Sequence, residues 1–136
     1  MAKVDFDTAL GPLLARDTRY GRGAYHFVRE ALDYTQAILL KQGEPGPRHV
    51  TGRELLEGIR SYALEQFGPM ACTVFEDWGV RRCDDFGEIV FNMIEFQILS
   101  KTDADRPEDF KGGYDFEAAF RRPFVPVRGA QASAPA

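Results

Sequence analysis

Apolar residues recur along most of this chain at intervals of three and four, the spacing of helices with one buried face. The densest run is 85–99, DFGEIVFNMIEFQIL, where Phe86, Ile89, Val90, Met93 and Ile94 share a face and Phe91, Phe96 and Ile98 occupy the remaining sides. A helix apolar on most of its circumference must be buried on most of it, which predicts a central helix with the rest packed around it. Asp85 followed by Glu88 predicts its N-cap.

Four further helices follow from the same pattern. Residues 5–15 carry Phe6, Leu10, Leu13 and Leu14 as a stripe, weakened by Gly11-Pro12. Residues 20–41 carry a seam of Tyr20, Ala24, Phe27, Ala31, Tyr34 and Ile38, with Val28 beside it. Gly21 and Gly23 weaken the first turn of that helix by roughly 1 kcal/mol each relative to Ala, which moves its expected start toward Ala24. Thr51 and Glu54 make a capping box for a helix to Phe67, with Leu55, Leu56, Ile59, Tyr62, Ala63 and Phe67 inward and Glu57 and Arg60 paired outside. Gly68 ends it, Pro69 opens a short helix over 70–78, and Gly79 ends that one.

Between and after these elements the pattern lapses. GEPGP at 43–47 is a loop, and 103–113, DADRPEDFKGG, reads as a polar one. Ser100 to Thr102 suit a strand end, and 114–120 is either a returning strand or a last helical turn. From Pro123 the chain has too little to bury and reads as a mobile tail. The fold class is mainly α, one multi-helix domain over 1–122. Three consecutive helices and a small C-terminal hairpin would make 51–120 a winged-helix-like unit, with two N-terminal helices packed on it; a plain six-helix bundle competes.

Composition narrows the function classes. At 136 residues, 44% hydrophobic and 28% charged, the chain is globular and long enough for one core. Its net charge of −4 argues against broad nucleic-acid binding, which displaces counterions with basic charge. The excess lies in residues 43–100, with five Lys/Arg against ten Asp/Glu. No run of 18 apolar residues is present, so no membrane span is expected. MAKVDFDTAL has no apolar run suited to a secretory leader. With two cysteines, Cys72 and Cys83, this predicts a cytoplasmic protein with reduced thiols.

The strings AYHFVREALDYT (24–35), HVTGRELLEGIRSYALEQFGPMACTVFEDWGV (49–80), DDFGEIVFNMIE (84–95) and YDFEAAF (114–120) resemble a family of bacterial conserved-hypothetical proteins associated with planctomycetes, verrucomicrobia and related groups. The resemblance spans roughly residues 16–120. It implies a stand-alone bacterial cytoplasmic protein and carries no activity, ligand or catalytic residue with it.

Candidate chemistry is sparse. As a DNA-reading helix, 84–98 offers Asp84, Asp85, Glu88 and Glu95 and no Lys or Arg, so it would repel a duplex despite the preceding Arg81 and Arg82. Arg19, Arg22, His26 and Arg29, spaced three, four and three, form the best basic stripe; it suits an acidic partner, an RNA backbone or a phosphorylated ligand, or is a solvated face neutralised by acids such as Glu57 or Glu65. Two histidines and two cysteines without C-x-x-C or H-x-x-x-H call for no metal, and the 103–109 acidic run fails the calcium-loop pattern at Glu108 and Tyr114. Cys72 lies in an apolar turn, ACTVF, where a buried thiol is the ordinary reading; Ser61 and His49 make no nucleophile motif with it, and Asp85-Phe86-Gly87 lacks every other kinase element. Trp78 is either an interface anchor or a core residue under the central helix.

The expectation is therefore a small helical cytoplasmic protein that is non-enzymatic and needs no cofactor. Its partner is a protein, engaged through the connection Trp78, Arg81, Arg82 or through the stripe Arg19, Arg22, His26, Arg29. The surplus of apolar residues also suits a homodimer, whereas nucleic-acid binding through the winged outline is the alternative.

Overall fold

A computed structural model describes residues 5–43, 50–99 and 107–124. Five α-helices run through them: α1 (Phe6–Arg16), α2 (Arg22–Lys41), α3 (Gly52–Phe67), α4 (Ala71–Asp77) and α5 (Cys83–Glu95). Short turns of 3₁₀-helix lie at Gly68–Met70, Pro107–Phe110 and Arg122–Phe124, and a π-helical turn at Glu117–Arg121. No strand occurs among the described residues.

Local chemistry sets each boundary. The Asp5 carboxylate accepts the Thr8 N–H at 3.3 Å and caps α1. The α3 capping box closes in both directions, Glu54 N–H to Thr51 Oγ1 at 3.1 Å and Thr51 N–H to Glu54 Oε1 at 3.0 Å. Gly68, with φ of +52°, ends α3 in a conformation open to glycine. The central helix starts three residues earlier than a cap at Asp85 implies: Asp85 lies inside it, and its carboxylate accepts the N–H groups of Arg81 and Arg82 at 2.8 and 3.1 Å. That satisfies backbone donors just before the helix, a stronger use of the acid than capping from outside. The helix stops at Glu95 rather than 99, where Gln97 takes φ of +61°. Conversely α2 starts at Arg22, ahead of Ala24, with Gly21 as its N-cap.

The core lies where α2, α3 and α5 meet. Phe86, Ile89 and Met93 of α5 are buried against Tyr25, Val28 and Ala31 of α2 and Leu56 and Ile59 of α3. α5 is covered on most of its circumference, with Phe91, Ile94 and Phe96 only partly so. α1 lies on α2 and is tied to α5 by the Arg16–Glu95 pair, whose two bonds are 2.6 and 2.5 Å. A polar seam backs this corner: the Asn92 amide of α5 donates to Asp17 Oδ2 at 2.9 Å and to the Tyr25 hydroxyl at 3.0 Å.

Two segments depart from the expected layout. The 103–113 stretch is not polar throughout: Phe110 is buried, and a Cβ on Gly52 or Gly87 would press into it at about 3 Å, so two glycines on α3 and α5 open its seat. Residues 116–121 form a helical turn, burying Phe120 against Phe75 with ring centroids 5.2 Å apart. That is the helical of the two readings for 114–120; the strand end at 100–102 lies outside the described residues. The 123–136 tail is described only at Pro123 and Phe124, where the chain is still helical and Phe124 exposed.

Candidate functional site

Trp78 ends α4 and turns toward α2 and α3, not under the central helix. Its backbone sets the position. The Trp78 carbonyl accepts the Gly21 N–H at 3.0 Å, and Gly79, at φ +87°, abuts the Arg19 carbonyl so closely that no Cβ would fit. The indole then lies across Gly23, where a Cβ would stand 2.5 Å from Nε1. The two glycines that weaken the start of α2 on propensity are thus the seat of the only tryptophan.

From Trp78 a continuous run of rings follows the α2–α3 junction. Centroid distances are 5.9 Å to Phe67, then 5.5 Å to Phe27, 5.4 Å to Tyr62 and 4.9 Å to Tyr34. Phe27 is buried as the floor; Trp78, Phe67 and Tyr62 are partly exposed walls, and Tyr34, also partly exposed, stacks on Tyr62 beyond them. A cleft of about 250 Å³ opens over Phe27 between these walls, with His26, Glu30 and Gln66 also lining it. Burial pushes the Tyr62 and Tyr34 phenols up, with Glu65 adding to both and Glu30 to Tyr62. The Tyr62 hydroxyl donates to Glu30 at 3.0 Å.

The basic stripe is present as a row but is not free charge. Arg19 binds Asp17 at 2.7 Å and Glu88 at 3.2 Å; Arg22 and His26 share Asp7, each at 2.8 Å; Arg29 binds Asp33 at 2.8 Å. These partners come from α1, the α1–α2 turn, α2 itself and α5, rather than from Glu57 or Glu65. Glu57 instead takes Arg60 at 3.4 Å, as its spacing predicts. Bonds from His26 and Arg22 hold the Asp7 carboxyl below its usual range, and Arg19 does the same to Asp17.

The Trp78–Arg82 connection does not act as one surface. Trp78 joins His26 in the aromatic cleft, whereas Arg81 and Arg82 line a separate cleft of about 430 Å³ with Asp84, Gly112, Gly113 and Asp115. Neither arginine has an ion pair among the described residues. A further groove of about 440 Å³ is lined by Ile38, Leu39, Arg53 and Ser61 among others, and His49 lies outside the described residues.

The reactive side chains are occupied. Cys72 and Cys83 are unpaired and buried. Burial pushes the Cys83 thiol up to about 11, and its sulfur lies between the Tyr114 N–H at 3.3 Å and the Tyr114 carbonyl at 3.5 Å. Burial likewise raises Cys72. A thiol kept neutral is a weak nucleophile. Among the described residues no three His, Cys, Asp or Glu side chains gather as metal ligands, and no helix is long and apolar enough to cross a membrane.

Reading the sequence alone picks out Trp78 and His26 but assigns Phe27, Tyr62 and Phe67 to the core and passes over Glu30 and Gln66. One signal is available: Phe27 and Tyr34 are seven apart on α2 and so share a face, giving that helix a second aromatic position along it. Comparison with family models, curated proteins and solved structures finds no match to this chain.

Proposed function

We propose that this protein is a non-enzymatic protein–protein interaction module whose contact surface is the aromatic cleft between α2, α3 and Trp78. The observation that carries the reading is the set of partly exposed rings, Trp78, Phe67 and Tyr62, lining a cleft floored by Phe27, with the Trp78 indole seated against Gly23. Tryptophan, tyrosine and phenylalanine are enriched where proteins meet, because large rigid rings bury much area for little lost side-chain freedom. A glycine whose side-chain space is filled by an indole, beside rings left half open, suits a preformed seat for a partner. The two buried, neutral thiols suit packing rather than catalysis and accord with a reducing, cytoplasmic setting.

Gln66 is exposed on the rim of the cleft, so Gln66→Arg should block it without disturbing the core. Wild-type and Gln66→Arg chains with equal circular dichroism are used as bait in native lysate. The reading expects a protein retained by the wild type and lost by the variant. The same proteins retained by both would place the contact elsewhere.

The winged-helix-like outline for 51–120 draws support from the succession α3, α4, α5, and nucleic-acid binding from Arg81 and Arg82, which have no ion pair among the described residues. Against it stand the acids of α5 and the pairing of the basic stripe. A homodimer would draw on Leu40, Met70 and Phe124, the large apolar side chains exposed on three separate elements. Light scattering at micromolar concentration tests it; a strict monomer removes it.

A further inference from the structure

The kind of partner follows from charge. Resting on the aromatic cleft as the contact surface, we infer that the partner presents an extended basic segment, an arginine or lysine side chain lying on the rings between Trp78 and Tyr62. Ring faces carry the negative lobe of the aromatic quadrupole and attract cations, guanidinium groups most readily because they also stack flat. The rings lining the cleft form a strip rather than a single box: Trp78 and Phe67 have centroids 5.9 Å apart, and the buried Phe27 beneath links them to Tyr62, at 5.5 Å from Phe67 and 5.4 Å from Tyr62. A strip matches a length of polypeptide better than a compact small cation.

The carboxylates around the strip point the same way. Glu30 lines the cleft and Glu65 acts on Tyr34 and Tyr62, yet neither has a cationic partner among the described residues. The basic groups nearest along α2 are already matched: Arg22 and His26 by Asp7, Arg29 by Asp33. Net charge left at the cleft is therefore negative. The Trp78 indole N–H also has no hydrogen-bond partner among the described residues, which leaves a donor for a carbonyl of a bound segment.

Trp78 is the only tryptophan, so its emission reports directly on the cleft. The full chain is titrated with the blocked peptide Gly-Arg-Gly-Arg-Gly and with the same peptide carrying citrulline, which keeps the shape and removes the charge. The inference expects a saturable emission change with the arginine peptide and at least tenfold weaker binding of the citrulline one. Glu30→Gln with Glu65→Gln should weaken the arginine peptide at least tenfold, whereas Glu108→Gln with Asp109→Asn, on the 107–110 turn, should leave it unchanged. Equal loss in both double variants would reduce the effect to overall charge and overturn the inference. So would tetramethylammonium chloride reproducing the emission change while the arginine peptide does not. If the arginine peptide leaves emission unchanged while Gln66→Arg still loses its captured protein, the basic segment is wrong and the cleft as contact surface stands.

Discussion

Gly58 illustrates how tightly single residues are specified at the α2–α3 contact. Its helix passes so close to Thr35 that a Cβ would overlap the threonine hydroxyl, which itself donates to the Ala31 carbonyl at 2.8 Å. Gly58→Ala should destabilise the fold by about 1–3 kcal/mol despite the helix propensity it gains, because overpacking outweighs that gain. Thr35→Ala should relieve the clash, so a denaturant-based double-mutant cycle is expected to show strong coupling; additive effects would contradict the contact. Titratable groups give a second residue-scale expectation. Bonds from the Arg19 side chain and N–H and from Asn92 depress the Asp17 carboxyl, so the unfolded chain binds a proton there first as pH falls. Its stabilisation is present above roughly pH 4 and is lost toward lower pH. Asp17→Asn should cost on the order of 1–2 kcal/mol at neutral pH through lost charged hydrogen bonds and should flatten the acid limb of the stability curve. At the other end, burial raises all five tyrosines, and Cys83 to about 11. Groups raised in this way stabilise below their unfolded values and cease to as pH climbs through the folded ones. Absorbance at 295 nm should therefore show tyrosinate forming above its usual pH of about 10, with the share from the buried Tyr20 and Tyr25 appearing only with loss of helix signal. All five tyrosines titrating near pH 10 with helices intact would contradict this burial.

At the scale of elements, periodicity revealed what each helix buries better than where it ends. The inward faces of α3 and α5 and the Thr51–Glu54 box are as the three-and-four spacing implies, since burial and capping act within one helix. The start of α5 is not legible from sequence, because an aspartate three residues into a helix and one at its N-cap look alike there; only the Arg81 and Arg82 N–H groups distinguish them. Phe110 was hidden for a related reason. A lone phenylalanine among acids and glycines has no period, and its seat is made by glycines of two distant helices. Phe110→Ala should cost about 3–5 kcal/mol, as for an aromatic in a closed core, and release the 107–110 turn from α3 and α5. A loss below about 1 kcal/mol in chemical denaturation would show that the turn does not fill the core.

Across the whole molecule, the aromatic cleft arises from contacts no single segment announces. Trp78 reaches α2 only because the α4–α5 connection is pinned to the α1–α2 turn by the Gly21–Trp78 bond and the tight approach of Gly79. Charge is likewise a property of the assembled chain: the basic stripe, prominent in sequence, is matched by acids from three helices and the α1–α2 turn, while Glu30 and Glu65 have no cationic partner among the described residues. The central claim is that a partner protein covers this cleft, and photocrosslinking tests it most directly. A benzophenone side chain is placed at position 66 on the rim and, separately, at position 53 near the start of α3, and each chain is irradiated in native lysate. The account predicts a discrete covalent adduct with another protein from position 66 and none from position 53. An adduct from position 53 with none from position 66 would contradict it.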